Sequence, residues 1–334
     1  MDVSIAPKKM TTRSVLRSDA TRKFLAFGAL IVLLVYFSLA SPHFMTFNNV
    51  VGILLQTSVN GVLALGVTFV IITGGIDLSI GTVMTFSSVI SAIVCINWGL
   101  PVWAGVLGGM GAGALAGFVN GTIISRMKVP PFITTLGIMY IAKGLSLVLS
   151  ELRPIYFNAA PGFRNIAMGS LVEKIIPGAE IPNAVLIMFG AAIFAAFLLN
   201  RTILGRYTFA LGSNEEATRL SGVNVNFWKT MVYTVCGLFS GIAGVLMASR
   251  LNSAQPALGQ GYELDAIAAV VIGGTSLSGG EGTILGTIIG AFVMSVLVNG
   301  LRIMSIEQEW QIVITGGILV AAVYMDVIRR RAIA

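Results

Sequence analysis

Charge is scarce in this chain. Of its 334 residues only 10% are Asp, Glu, Lys or Arg, and it has one histidine and two cysteines. Each shortage excludes something. His43 stands alone, which rules out a zinc centre with several N and S ligands and a histidine-assisted nucleophile; no paired carboxylates offer acid–base chemistry. We expect no catalytic residues and no metal site. Cys95 and Cys236 lie in apolar runs, where a thiol behaves as a small hydrophobe, so no disulfide framework is expected. No G-x-x-x-x-G-K-[ST] loop occurs, so ATP is not bound by that route, and no cofactor is expected on this chain. Gly111-Ala-Gly113-Ala-Leu-Ala116 fits a dinucleotide fingerprint nominally, but it lies inside an apolar run and is discarded. No basic stripe interleaves with aromatics, which argues against nucleic acid despite a net charge of +7.

What fills the chain is apolar: 56% of the residues are hydrophobic, in repeated runs near the length that crosses a bilayer. The expected fold is all-α, a polytopic membrane protein of about ten transmembrane helices. The spans fall at about 24–40, 48–73, 79–97, 101–125, 131–149, 183–199, 229–250, 264–277, 284–303 and 308–328, the eighth short enough to be partly re-entrant. The basic start followed by Phe24 to Ala40 resembles a secretory signal superficially, but the run is long for one and further spans follow, so an uncleaved first helix is expected. With both termini cytoplasmic, Lys8, Lys9, Arg13, Arg17, Arg22, Lys23, Arg126, Lys128, Arg201, Arg206, Arg219, Lys229 and Arg329 to Arg331 lie inside; they are fifteen of the 21 Lys and Arg residues. The expected organisation is a cytoplasmic basic segment at 1–23, a transmembrane domain at 24–328 with a cytoplasmic loop at 200–228, and a cytoplasmic tail at 329–334.

Glycine sets the packing. Gly105, Gly109, Gly113, Gly117 and Gly121 recur every fourth residue, and a shorter ladder runs Gly282, Gly286, Gly290, each making a smooth face that lets helix backbones approach. Two segments share the pattern G-G-x-[D/S]-L-S-x-G: Gly74-Gly75-Ile-Asp77-Leu78-Ser79-Ile-Gly81 and Gly273-Gly274-Thr-Ser276-Leu277-Ser278-Gly-Gly280. Paired helix breaks in two halves point to a transport pathway; a pair of tight interhelical turns is the other reading.

Polar residues inside spans mark a possible path. Gln56, Asn60 and Thr68 share one helical face, with Asn120 and Asn299 as further candidates; helix packing alone explains the same residues, since interhelical hydrogen bonds contribute about 0.6 kcal/mol on average. A carboxylate at the bilayer centre costs at least about 2.5–3.5 kcal/mol. Asp77, Glu263, Asp265, Glu281 and Asp326 all fall near expected span ends, which argues against ion coupling through a buried carboxylate and leaves Lys143 as the least comfortable charge.

The charged island Gly205 to Asn226 reads as a short helix. Ser213 is the expected N-cap, Glu216 completes an S-x-x-E capping box, and Gly222 closes the far end. Ala217 and Leu220 share one face, with Glu215, Glu216 and Arg219 at the rim. Such a helix is marginal alone, so it is either a docking element stabilised by a partner or an ordinary surface helix.

This island, the segment Gly75-Ile-Asp77-Leu78-Ser79 and the run Gly261-Tyr-Glu263-Leu-Asp265-Ala-Ile-Ala-Ala-Val-Val-Ile-Gly-Gly-Thr-Ser276 resemble the permease subunit of bacterial ribose-type ABC importers. The resemblance extends in order from about Thr46 to Asp326. It implies the ABC importer permease fold in the bacterial inner membrane, a monosaccharide as cargo with ribose first, and no enzymatic activity. It also implies three partners: a cytoplasmic ABC ATPase subunit that uses the ATP, a periplasmic sugar-binding protein, and a second permease copy as a homodimer or pseudo-heterodimer. Gly212, Asn214, Glu215, Ala217, Arg219 and Gly222 then become candidate ATPase-coupling residues. Arg153, Arg164, Arg250 and Arg302 are either contacts for the binding protein or interfacial charges. The competing readings are a secondary, ion-coupled sugar transporter and a membrane-embedded enzyme.

Overall fold

The computed structural model describes residues 19–178 and 180–331. Lys8, Lys9, Arg13 and Arg17 of the expected basic segment, and residues 332–334 of the expected tail, lie outside the described residues. Among the described residues thirteen α-helices follow in order: α1 (Asp19–Ala40), α2 (Phe47–Ile72), α3 (Ile80–Ala92), α4 (Val102–Arg126), α5 (Pro131–Leu149), α6 (Asn165–Met168), α7 (Asn183–Arg201), α8 (Ile203–Ser213), α9 (Glu215–Leu220), α10 (Val225–Leu251), α11 (Tyr262–Ile272), α12 (Ile284–Ile303) and α13 (Gln308–Arg331). Among the described residues the strands are β1 (Ile155–Tyr156) and β2 (Ser253–Ala254), paired antiparallel. The all-α expectation holds.

Among the described residues eight helices are long and apolar enough to cross a membrane: α2, α3 with the π turn Ile93–Asn97 that extends it, α4, α5, α7, α10, α12 and α13. The other two expected spans are shorter. The apolar part of α1 is Phe24–Ala40, and α11 has 11 residues.

Two helices make the centre. Every residue of α2 from Thr57 to Ile72 is buried, as expected of a helix apolar all round. Beside it lies α10, with Phe69 and Phe239 stacked at 6.4 Å between ring centroids. Around this pair, α5, α7 and α13 leave faces such as Tyr140, Ile193, Phe197, Ile312 and Val320 open, a surface suited to lipid.

The first glycine ladder lies against two neighbours. A Cβ on Gly105 would meet the Ser91 carbonyl at 3.0 Å, and one on Gly113 would meet Gly241 Cα at 2.7 Å and the Gly237 carbonyl. Gly237 and Gly241 of α10 reciprocate against α4, so glycine faces glycine across the crossing. Gly286 and Gly290 likewise let α12 touch the backbone of α11 at Gly273 and Ala269. Gly282, before α12, meets the Ile72 side chain instead.

Between β2 and α11 the chain is not helical. Leu258 O accepts a hydrogen bond from Thr85 Oγ1 at 2.7 Å, and a Cβ on Gly81 would strike the Gly259 carbonyl. Val89 and Ala92 cluster with Ala254, so residues 254–259 run down α3 to its first turn. The stretch is irregular, and a turn is closed within it by the Leu258 N–H donating to Gln255 O at 3.2 Å. Gly259 (φ +96°) and Gly261 (φ +98°) then turn the chain back into α11, whose start is closed by Glu263 accepting from the Gly261 N–H at 3.1 Å. The eighth span is therefore a re-entrant loop followed by a half-length helix.

Candidate functional site

The two glycine-rich segments end α2 and α11 in the same way. Gly74 (φ +76°) and Gly274 (φ +92°) are both left-handed. The Gly75 N–H reaches Val70 O at 3.1 Å and the Thr275 N–H reaches Val270 O at 3.1 Å, while Gly74 and Gly274 bond Ile71 and Val271 carbonyls at 2.9 Å. Each is a Schellman cap, and the two are 200 residues apart. They touch, because Gly280 N donates to Ile72 O at 2.8 Å and a Cβ on Gly279 would meet Gly74 N at 2.9 Å. Both segments are thus helix ends in contact, a geometry shared by paired helix breaks and by tight interhelical turns.

The first break is sunk in the bundle. Asp77 is 2% exposed, although its sequence position suggested the end of a span. Its Oδ1 accepts from Ser79 N at 2.9 Å and Ser79 Oγ at 2.6 Å, and it contacts the Cys236 thiol midway along α10. Ser79 Oγ accepts in turn from Asn120 Nδ2 at 2.9 Å. The carboxylate is held by Ser79 at the start of α3 and by the α10 thiol, with α4 acting on it only through Ser79, an arrangement that makes burial of such a group tolerable. Distance along the chain from a span's middle did not measure depth here, because the α2–α3 connection folds inward beneath Tyr233.

Beside the paired breaks lies the charged island. Gly212 in α8 packs so closely that a Cβ there would collide with Ile72 O and approach Gly280 N at 2.5 Å, both partners of the bond joining the breaks. Tyr207 of α8 rests on Trp228 at 4.9 Å between centroids. The expected capping box does not form. Helix α8 continues through Ser213, and the chain becomes extended only at Asn214 (φ −163°), whose Oδ1 accepts from Ala217 N at 2.9 Å. Ser213 and Asn214 are both good caps, and packing of α8 against the breaks moves the boundary one residue on. Glu216 pairs with Arg219 at 3.3 Å instead of reaching back. Gly222 is left-handed, as expected (φ +83°).

Glu215 braces α9 to the bundle through Lys229 at 2.6 Å and pairs with Arg219 at 3.3 Å. Partial burial pushes its carboxyl up, but Lys229, then Arg219 and Lys128, outweigh this and hold it below the usual glutamate range. Leu220 is 81% exposed, with Glu216, Ala217 and Arg219 also outward. Replacing Asn214 by Ala should destabilise α9 by ~1 kcal/mol. Hydrogen–deuterium exchange should accordingly show about fivefold less protection in α9 amides and no change in α4 or α10.

The polar candidates divide. Gln56 and Asn60 line a cavity of about 550 Å³ between α2, α11, α12 and α13, together with Arg250, Asp265 and Arg302. The other three do not line it. Thr68 is bonded to Thr287 at 2.8 Å, Asn120 to Ser79, and Asn299 exchanges two hydrogen bonds with Asn49 at 3.0 and 2.9 Å. They tie helices together. Lys143, the least comfortable charge, donates to Gln260 of the re-entrant loop at 3.0 Å.

Residues 49–323 match the family described as branched-chain amino acid transport system, permease component. The chain belongs to this permease family. It is 42% identical to the ribose import permease protein of Escherichia coli K12 over 303 residues, covering 89% of this chain and 91% of that protein. The Bacillus subtilis ribose import permease protein is 40% identical over 301 residues, covering 90% and 91%. The D-allose transport system permease protein of Escherichia coli K12 is 34% identical over 296 residues, covering 89% and 88%. No solved structure matches.

Within the permease, sequence reasoning missed two sets of residues. Gly237-x-x-x-Gly241-x-x-Gly244 on α10, whose first two members form the counterface of the α4 ladder and whose third meets Met84 of α3, was legible as a small-residue pattern. Arg250 and Arg302 stood out only as binding-protein contacts or interfacial charges and Asp265 only as a carboxylate near a span end, with no signal for their place on the cavity. They converge near Gln56 and Asn60 from α10, α11 and α12, and no local pattern announces a convergence of three helices.

Proposed function

We propose that this permease is the membrane subunit of an ATP-binding-cassette importer in the bacterial inner membrane, and that it carries a monosaccharide, ribose first. The observation that carries the reading is its 40–42% identity with ribose import permeases along some nine-tenths of its length. In this reading the α8–α9 end, both termini and the two Schellman caps face the cytoplasm. A separate ATPase subunit docks on Glu216, Ala217, Arg219 and Leu220, with Asn214, Glu215, Gly212 and Gly222 shaping the helix it meets. That subunit binds and hydrolyses the ATP, and this chain holds no cofactor. A periplasmic sugar-binding protein delivers the cargo at the opposite end, and a second permease copy completes the assembly.

The mechanism follows from contacts. ATP-driven closure of the ATPase pushes on α9, α8 transmits the push through Gly212 to the bond between Ile72 and Gly280, and the helices that end there shift together. The coupling requires contacts that differ between two states. No carboxylate has to titrate for this.

The test is uptake of labelled ribose into proteoliposomes holding the permease, its ATPase and its binding protein, with and without ATP. ATP-dependent uptake is expected, falling more than tenfold for Arg219→Glu and for Leu220→Asp. The second variant matters because Leu220 is so exposed that its loss should leave the permease's own packing intact. Hydrolysis without ribose uptake would keep the class and reject the sugar, whereas gradient-driven uptake without the ATPase would make the permease a secondary transporter.

A further inference from the structure

A segment outside the spanning helices carries an apolar face that the described residues leave uncovered. The chain leaves the bundle at Gly169 and returns at Asn183, and the neck between them is closed three times. Asn183 N donates to Gly169 O at 2.7 Å, its Nδ2 donates to Asn165 O at 2.9 Å, and its Oδ1 accepts from Leu171 N at 2.8 Å. Asn183 is also the first residue of α7, so the excursion is fixed to a spanning helix. Within it the N–H groups of Ile175 and Ile176 both bond Val172 O, at 3.0 and 2.7 Å, which makes one helical turn. At helical spacing Leu171, Val172, Ile175 and Ile176 share one face, with Glu173 and Lys174 on the other. Ile175 is 81% exposed, and Leu171 and Ile176 are exposed beside it.

Composition and height both point to lipid. Protein-binding surfaces are enriched in aromatic residues, Met and Arg, and Leu and Val are under-represented among the residues that carry affinity. This face is Leu, Val and Ile alone. Its height follows from α6, whose Ile166 packs against the same buried cluster as Ile96 and Val102 at the α3–α4 connection. That cluster includes Val245 and Ala248, near the end of α10 away from α9. The connection carries Trp98 and Trp103, both exposed, and tryptophan collects where a bilayer meets water. Gly169 follows Ile166 by three residues, so the neck lies at the level of these tryptophans. From the neck α7 runs into the bundle with Ile193 and Phe197 on its open side, so the apolar turn continues a surface already suited to lipid.

We propose that residues 171–176 form a membrane anchor outside the spans, with Leu171, Ile175 and Ile176 sunk into the headgroup region of the leaflet at the end away from α9, and Glu173 and Lys174 kept in water. The anchor needs no ATPase, binding protein or cargo, and so stands apart from the importer reading. Through Asn183 it ties the start of α7 to the membrane plane.

Ile175→Cys carrying a nitroxide reads this in lipid nanodiscs of the permease alone, since Cys95 and Cys236 are both buried. Collision of the label with oxygen, which concentrates in lipid, is compared with collision with a water-soluble nickel complex. The oxygen-to-nickel ratio should exceed that of Glu173→Cys about tenfold, with Ile193→Cys as the reference for full lipid exposure. Ile176→Cys is the second reporter should the first variant fail to fold. In the Ile175→Cys protein, Leu171→Asp together with Ile176→Asp should lift the turn into water and lower the ratio about tenfold. A nickel-dominated ratio at both Ile175 and Ile176 would place the turn in water and overturn the proposal. So would labels at both positions shielded from oxygen and nickel alike, because the face would then be covered by protein, such as a second permease copy.

Discussion

Replacing Gly113 by Leu should abolish folding of the permease, while Gly111→Leu, two residues away on the same helix, should be silent. The contrast comes from the α4–α10 crossing. A Cβ at Gly113 would stand 2.7 Å from Gly241 Cα and Gly241 N, whereas carbon atoms in contact settle near ~3.5–4.0 Å. No rotamer relieves this, because the obstacle is backbone. The helices must separate, and Gly109, Gly117 and Gly121 lose their contacts along the same seam. In lipid no hydrophobic gain rewards a looser fit, so the loss falls directly on packing. We expect a destabilisation of at least ~3 kcal/mol, at or beyond the upper end for overpacked cores. At Gly111 nothing lies within 4 Å of the added carbon. The measurement is the yield of monodisperse protein and its melting temperature in one detergent: collapse of both for Gly113→Leu, and values near wild type for Gly111→Leu. Equal behaviour of the two variants would mean that the crossing does not hold the bundle together.

Gly212→Val should leave the bundle folded and cut ATP-driven uptake more than tenfold. Its Cβ would enter the hydrogen bond by which the Gly280 N–H binds Ile72 O, the bond that joins the two caps. Unlike Gly113, Gly212 lies at the end of the molecule, where α8 can move outward. The strain is relieved by displacing α8 and α9, with little loss of core contacts. The cost then appears as lost coupling: the ATPase continues to hydrolyse ATP, but less of each push reaches α2 and α11. The ratio of ATP hydrolysed to solute imported should rise by about the factor that uptake falls. Uptake within twofold of wild type would exclude Gly212 as the point of transmission.

The readable and unreadable parts of this molecule differ in range. Apolar runs declare themselves locally, which is why the spans fall near the observed helices and the Gly105 ladder identifies a contact face. The G-G-x-[D/S]-L-S-x-G pair was legible for the same reason, since a left-handed glycine and its cap lie within a few residues of each other. Thr68, Asn120 and Asn299 were ambiguous because a polar side chain in a span serves a path or a neighbouring helix equally well, and the answer rests with Thr287, Ser79 and Asn49, up to 250 residues away. The cap moved from Ser213 to Asn214 because tertiary contact decided between two competent neighbours. Asp77 was placed too shallow because sequence position fixes where a helix ends along the chain and leaves open how far the connection folds inward.

The irregular stretch before α11 leaves backbone groups at a depth where lipid satisfies none, so they must be buried in protein or face water. Gln260 and Gly261 border the cavity, so the stretch brings one aqueous phase into the interior. The membrane voltage then falls mainly across the remaining layer, near the paired caps. Moving an elementary charge through the full potential involves ~2.3 kcal/mol per 100 mV, whereas an uncharged solute crosses the same layer without electrical work.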